Sequence, residues 1–243
     1  MKLTVAIITK NSSLDELFLK SLSLADEVVI VVDSQFRKPV KRGKINYYYH
    51  PLSHDFSTQR NFALDKSHGE WVLFVDDDEI ISSELMKEIR QNIDQSTLSG
   101  FLIPRKDICF HQVINHGESG DIKLLRLAKQ SAGKFTRKVH EKWKINGRVG
   151  ELSSPLYHIK DRLISGFLSR MELYGLIDSP ELTRENKPFS YFRLFANPLF
   201  KFIFSYFLKR GFLDGYPGLF QAYLMSSQSL TVRVFQWTNK SSS

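Results

Sequence analysis

Asp76-Asp77-Asp78-Glu79 follows directly on Trp71-Val72-Leu73-Phe74-Val75. The apolar run has the length of a buried strand, and Gly69 marks its start. Four adjacent carboxylates repel one another in a low-dielectric cleft, and a bound divalent cation is the simplest relief. Oxygen ligands suit Mg²⁺ or Mn²⁺, which usually bridge to a substrate phosphate. The acids also stand just past the carboxyl end of the strand, where open α/β sheets bind ligands. Capping of the next helix is the plain alternative, since acids favour helix N-termini. Ser82 and Ser83 already offer capping hydroxyls before Glu84-Leu85-Met86, so the carboxylates are surplus to that need.

Two further strand ends carry polar groups of the right kind, Thr9-Lys10-Asn11 and Asp33-Ser34. Between them and the acids lies His54-Asp55-Phe56-Ser57-Thr58-Gln59-Arg60-Asn61. Arg60 suits a diphosphate, because a guanidinium donates in a fixed fork. An arginine on a helix surface is the bland reading, and its place one element before the acids argues against it.

These side chains need a parallel sheet to bring them together, and the first hundred residues have its pattern. Leu3 to Thr9, Glu27 to Asp33, Ile45 to Tyr49 and Trp71 to Val75 read as strands. Helical spacing at Leu14, Leu17, Phe18, Ser21 and Leu22, then at Phe56 to Lys66 and Ser83 to Ile93, separates them, with Asp55 as a cap. Near-continuous Val, Ile and Leu runs alternating with amphipathic helices indicate a parallel sheet covered on both faces. Phe101 to Pro104, Ile122 to Leu127, Val139 to Glu141 and Leu156 to His158 add mixed strands around a polar loop with His111 and His116. The pattern turns helical near Lys160.

The chain has 243 residues, 42% of them hydrophobic, enough for a substantial core. The single cysteine, Cys109, excludes an intramolecular disulfide and suits a reducing, cytosolic setting. The apolar stretch after Met1 is too short for a signal peptide and reads as the first strand. Net charge is +8, and from Arg184 onward eight bases face only Glu185 and Asp214. A basic surface can serve nucleic acid, an anionic membrane or a phosphorylated substrate. The segment Pro188 to Arg210 is dense in Phe and Tyr, but Arg193, Asn197, Pro198 and Lys201 interrupt the ~20 apolar residues a spanning helix needs. An interfacial helix pair is one reading, and a pair packed on the core or on a second subunit is the other.

The ordered set Thr-Lys-Asn, Val-Val-Asp-Ser, Gln-Arg-Asn-Phe-Ala-Leu and Gly-Glu-Trp-Val-Leu-Phe-Val-Asp-Asp-Asp-Glu resembles the family 2 glycosyltransferases of GT-A fold. Lys123 to Leu127, Val139-His140-Glu141, Pro155 to His158 and Gly211 to Gly215 are similar to its bacterial branch of lipopolysaccharide-core β-glucosyltransferases, so the likeness covers nearly the whole chain. Asp33-Ser34 lacks the usual Gly-Ser-Thr-Asp-like turn, Ser12 replaces a common Glu, and Asp77 stands in the middle of the usual Asp-Ala-Asp.

The resemblance implies an α/β, Rossmann-like sheet flanked by helices, a catalytic domain over residues 1–160 and a basic, aromatic helical extension over 161–243. It implies that Asp33 meets the nucleobase near Thr9 and Asn11, with Asp76 near the ribose, beside the diphosphate role that the guanidinium of Arg60 suggests. Asp78 and Asp76 would hold Mn²⁺ or Mg²⁺, with His158 as a further ligand or a diphosphate contact. Glu141 is the candidate base, with Asp107 and Asp121 as rivals. The implied activity is inverting transfer of a hexose from a nucleotide sugar, UDP-linked by default, to a lipopolysaccharide-core, lipooligosaccharide-core or other surface-glycan or lipid-linked acceptor. The implied place is the cytoplasmic side, peripheral to the inner membrane, with no nucleic-acid partner and the oligomeric state open. A nucleotidyltransferase of similar fold is the rival enzyme, although no Gly-rich phosphate loop is present near the start. A non-enzymatic basic protein binding membrane or nucleic acid would explain the charge but not the acid run.

Overall fold

The computed structural model describes residues 1–10, 14, 16–53, 55–94, 96–137, 141–160 and 163–241. Asn11, His54 and residues 138–140 lie outside that set, and with them the expectations for Asn11 and for a strand over Val139 and His140.

Contacts divide the chain into two units, residues 1–105 with 123–158, and residues 106–122 with 159–243. The first unit opens with β1 (Leu3–Thr9), α1 (Glu16–Ser21), β2 (Glu27–Val32), β3 (Val40–Arg42), β4 (Ile45–Tyr49), α2 (Phe56–Asp65), β5 (Trp71–Asp76), β6 (Glu79–Ile81) and α3 (Ser83–Ile93). Strand β7 (Gly100–Cys109) then runs across the division to β8 (Gln112–Val113). The chain continues through β9 (Ile122–Lys129), β10 (Gly133–Thr136), β11 (Lys142–Ile145), β12 (Val149–Glu151) and β13 (Leu156–Ile159). The main sheet has the order β3-β4-β2-β1-β5-β9-β7-β13-β6. Strands β4, β2, β1 and β5 are mutually parallel, while β9 returns antiparallel to β5.

The parallel strands are apolar on both faces because both are covered. Leu3, Val5 and Ile7 of β1 pack with Phe18 of α1, Leu22 just after it, and Leu85, Met86, Ile89 and Ile93 of α3. Ala6, Val29, Val31, Val72 and Phe74 point the other way, into Ala63 and Leu64 of α2 and into Phe135 and Trp143 of the β10–β11 pair. Period-two alternation thus divides one strand between two cores. Phe74 sits edge-on to Phe135 at 4.9 Å and to Trp143 at 5.2 Å. The caps are local: Asp55 accepts from the Thr58 N–H at 3.0 Å and Ser82 from the Leu85 N–H at 3.1 Å. Ser82 thus meets the capping need of α3, for which the sequence made the acids superfluous.

At the amino end of the sheet, Glu27 accepts from the Thr4 hydroxyl at 2.7 Å, the His68 N–H at 2.8 Å and the Asn46 amide at 3.1 Å. Gly69 is required there, since a Cβ would stand 2.7 Å from both the nitrogen and the hydroxyl of Thr4. Burial opposes ionisation of Glu27, but the hydrogen bonds from His68 and Thr4 outweigh it and hold its pKa low.

The second unit is helical: α4 (Leu163–Arg184), α5 (Tyr191–Ile203), a π turn over Phe204–Leu208, a 3₁₀ turn over Gly211–Asp214 and α6 (Gly215–Ser241). A Cβ on Gly175 of α4 would meet the Phe235 ring of α6 at 2.4 Å, which sets how closely those helices approach. Buried Asp214 accepts from the N–H groups of Asn115 and His116 and pairs with the His116 ring at 2.8 Å. That carboxylate ties the segment 106–122 to the helices, a grouping the expected division at residue 160 did not contain. Among the described residues no helix is long and apolar enough to cross a membrane. The main sheet and its flanking helices form the GT-A arrangement expected from the sequence, followed by the helical C-terminal part.

Candidate active site

Parallel strands β2, β1 and β5 end side by side, with Thr9 opposite Val32 and Ile8 opposite Asp76. Their register places Thr9, Asp33 and the acid run at one sheet edge. Asp33 continues the ladder by donating its N–H to the Thr9 carbonyl at 2.7 Å, and its carboxylate accepts from the Leu52 N–H at 2.8 Å. The Thr9 hydroxyl donates to Asp77 at 2.7 Å.

The four acids have four different surroundings. Asp76 ends β5 between two arginines. Arg60 donates to its Oδ1 at 2.9 Å, and Arg126 of β9 grips both oxygens. Burial opposes ionisation of Asp76, but Arg126 and then Arg60 hold its carboxyl well below the usual range. Glu79 is fully buried, accepts the Asp76 N–H at 2.9 Å and lies 3.2 Å from Arg126. Burial pushes Glu79 upward, and the Arg126 attraction offsets only part of that. Asp77 is held by Thr9, whereas Asp78 is half exposed and faces the His158 Nε2 at 3.1 Å. His158 reaches it because β13 pairs antiparallel with β6, setting His158 opposite Glu79.

Arg60 is the hub. Its side chain is 8% exposed, and its guanidinium lies over the rings of Phe74 and Phe135 at 5.5 and 5.6 Å. One terminal nitrogen serves Asp76, while Nε–H donates to Glu141 at 2.7 Å. Glu141 directly precedes β11 and is brought in by the β10–β11 pair. Asn61, beside Arg60 on α2, holds that pair by donating to the Phe135 carbonyl at 2.9 Å and accepting its N–H at 2.8 Å.

Arg60, Asp76 and Glu141 therefore form one connected group, and Asp78 and His158 form a second. The expectation that Asp76 shares a metal with Asp78 meets a different arrangement, in which the Asp76 oxygens are occupied by guanidinium groups. Among the described residues, no three His, Cys, Asp or Glu side chains gather to hold a metal ion. The rival bases lie in the helical unit: Asp107 is buried and paired with Lys160 at 2.7 Å, and Asp121 lies 3.6 Å from Lys209.

Arg126 carries a site role that the sequence reading did not assign. Its side chain is 11% exposed and its pKa is driven upward: burial lowers it, but Asp76 and Glu79 more than compensate. The signal was present in Lys123-Leu124-Leu125-Arg126-Leu127, where an arginine among apolar strand residues demands a buried counter-charge.

Carboxylates at the ends of adjacent parallel strands, with the guanidinium groups of Arg60 on α2 and Arg126 on β9 fixed among them, form the candidate site. Residues 4–152 match the family model described as glycosyl transferase family 2, and the chain belongs to that family. Its relatives include an uncharacterized glycosyltransferase of Rickettsia felis, 22% identical over 89% of this chain and 83% of that protein. Another, from Rickettsia typhi, is 23% identical over 66% of this chain, and the matched region spans 59% of that relative's length. Among solved structures, S. aureus TarS 1-349 is similar with a TM-score of 0.46 and 16% identity, covering 100% of this chain and 92% of that one.

Proposed function

We infer that the chain is an inverting, metal-dependent hexosyltransferase using a nucleotide sugar, with a UDP-sugar as the default donor. The observation that carries this reading is the meeting of Thr9, Asp33 and Asp76 to Asp78 at the ends of three adjacent parallel strands, with Arg60 and Arg126 fixed among them. Asp33 and Thr9 would face the nucleoside. Arg60 and Arg126 place positive charge where a departing diphosphate develops negative charge, which is where stabilisation raises the rate.

The Asp78 carboxylate and His158 imidazole offer oxygen and nitrogen donors, a set that fits Mn²⁺ better than Mg²⁺, which prefers oxygen ligands. Those two residues would hold the ion, which when bound offsets diphosphate charge. Glu141 would take the proton from the acceptor hydroxyl as that oxygen bonds to the sugar carbon and the diphosphate leaves from the opposite face. Its position is set by Arg60, so base and leaving-group side are built on one hub. For the acceptor, the aromatic and basic helical part favours a lipid-linked or surface glycan, such as a lipopolysaccharide or lipooligosaccharide core, met at the inner face of the membrane.

The test is thermal-shift screening of the full chain against nucleotide sugars, with and without Mn²⁺, followed by assay of nucleoside diphosphate release. A donor that binds the folded state raises its melting temperature. Asp78→Asn and His158→Ala should abolish the Mn²⁺-dependent part of that rise. A Mn²⁺-dependent rise unaltered in both variants would remove the metal assignment, and release of pyrophosphate instead of nucleoside diphosphate would overturn the reaction type.

A further inference from the structure

The helical unit presents an apolar tip that no part of the catalytic reading uses. Phe207 and Leu208 end the π turn and are 55% and 64% exposed, and Phe212 and Leu213 follow on the 3₁₀ turn, also exposed. Lys209 and Arg210 stand between them, both exposed. The tip adjoins a cavity of about 570 Å³ walled by Phe110, Phe202, Tyr216, Leu219, Phe220 and Tyr223. Ring contacts join the two, since Phe202 packs on Tyr206 at 5.5 Å and Tyr206 on Phe212 at 6.3 Å. Tyr216, at the cavity wall, is 88% exposed.

We propose that this tip and cavity dock on an anionic phospholipid leaflet, with Phe207, Leu208, Phe212 and Leu213 entering the interface and one lipid acyl chain lying in the aromatic cavity. Charge decides for anionic lipid over a second copy of the chain. From Arg193 to Arg210 there are four bases, Arg193, Lys201, Lys209 and Arg210, and no acid; Arg233 further on is buried, and the next acid is Asp214. Asp214 is spent on His116 and on two backbone N–H groups. Glu118 and Asp121 from the neighbouring loop offset Lys201 and Lys209 in part, at 2.7 and 3.6 Å. Two such basic surfaces would repel each other, whereas phosphate headgroups attract them. The mode is superficial, since no helix among the described residues is long and apolar enough to span. The docking deepens the lipid-linked acceptor reading and rests on it for its purpose, but its test does not depend on catalysis.

The experiment is vesicle flotation of the full chain with phosphatidylglycerol-containing and pure phosphatidylcholine vesicles, at low and high salt. Binding to the anionic vesicles alone, weakened by salt, is expected. Phe207→Ser with Leu208→Asp should cut it about tenfold or more, and so should Lys209→Glu with Arg210→Glu. The second pair is exposed and keeps the test open if the first variant misfolds. Tyr216→Trp should be quenched by lipids brominated in their acyl chains. Equal binding to both vesicle types, unchanged binding in the charge variant, no quenching, or a concentration-dependent dimer lost in Leu208→Asp would each overturn the proposal. Donor-induced thermal shift is read on the same samples: failed flotation with that shift intact overturns the docking alone, and absence of the shift in the unmodified chain counts against the donor reading alone.

Discussion

Arg60 couples Glu141 to the acid run: its Nε–H donates to Glu141 at 2.7 Å while a terminal nitrogen donates to Asp76 at 2.9 Å. A planar fork can do this, and an ammonium cannot hold the same two directions. Arg60→Lys should keep the charge and lose the coupling. We expect kcat/KM to fall roughly 10²-fold, equivalent to about 2.7 kcal/mol of transition-state stabilisation. Steady-state kinetics beside circular dichroism checks it, and a folded Lys variant with full activity would remove the coupling role.

Glu141→Gln separates base from scaffold. Gln keeps an oxygen for Arg60 but has no useful basicity. The expected loss is about 10²–10⁴-fold in kcat with the donor-induced thermal shift retained. A Gln variant of unchanged kcat would take the base role from Glu141.

Arg126→Met tests the buried cluster. It leaves Asp76 with Arg60 and Glu79 without its arginine, facing only the weaker attraction of His158. Removing one partner of a buried ion pair typically costs about 3–5 kcal/mol, because the remaining charge stays desolvated. Adding Glu79→Gln should recover part of that loss, since the amide oxygen can still accept the Asp76 N–H. Urea unfolding of the single and double variants measures the coupling.

Much of this site could be read from the sequence, and the missing part has a physical cause. Strands β1, β2 and β5 are near-continuous apolar runs, so burial alone marked their place. The acid run was visible because four like charges need an explanation. Strand β6 was not visible, since Glu79-Ile80-Ile81 is too short to show a period and exists through pairing with β13. The division of labour among the acids was hidden for the same reason. Which carboxylate meets an arginine depends on β9 and the β10–β11 pair, both distant in sequence. The attachment of residues 106–122 to the helices depends on Asp214, some hundred residues away.

Glu88 supplies a pH test away from the chemistry. It sits on α3 and accepts from the Ser153 N–H and hydroxyl at 2.8 and 2.7 Å and from the Ser154 N–H at 2.7 Å. Burial opposes its ionisation, but those bonds outweigh it and lower the carboxyl from 4.5 to about 2. A depressed carboxyl contributes stability that is complete above its unfolded value and is lost as pH falls through the folded one. Stability should therefore decline between about pH 4.5 and 2, and Glu88→Gln should flatten that part of the curve. Unfolding free energies at several pH values decide it, and parallel curves for the two proteins would exclude Glu88 as the source.

Asn61 offers the sharpest test of whether Glu141 acts from a prepared position. Its amide replaces a strand partner for Phe135, accepting the N–H and donating to the carbonyl. Its side chain bonds to Phe135 rather than to Glu141 or Asp76, so its effect on chemistry must pass through the placement of β10 and β11. Asn61→Ala should cost about 1–3 kcal/mol, since it strands a backbone donor and acceptor. It should also lower kcat more than it raises KM for the donor, because Arg60, on the helix itself, stays on the Phe74 ring and on Asp76. Asn61→Asp keeps the acceptor and loses the donor, so it should fall between. If Asn61→Ala lost stability while kcat held, the β10–β11 pair would support the fold without positioning the base.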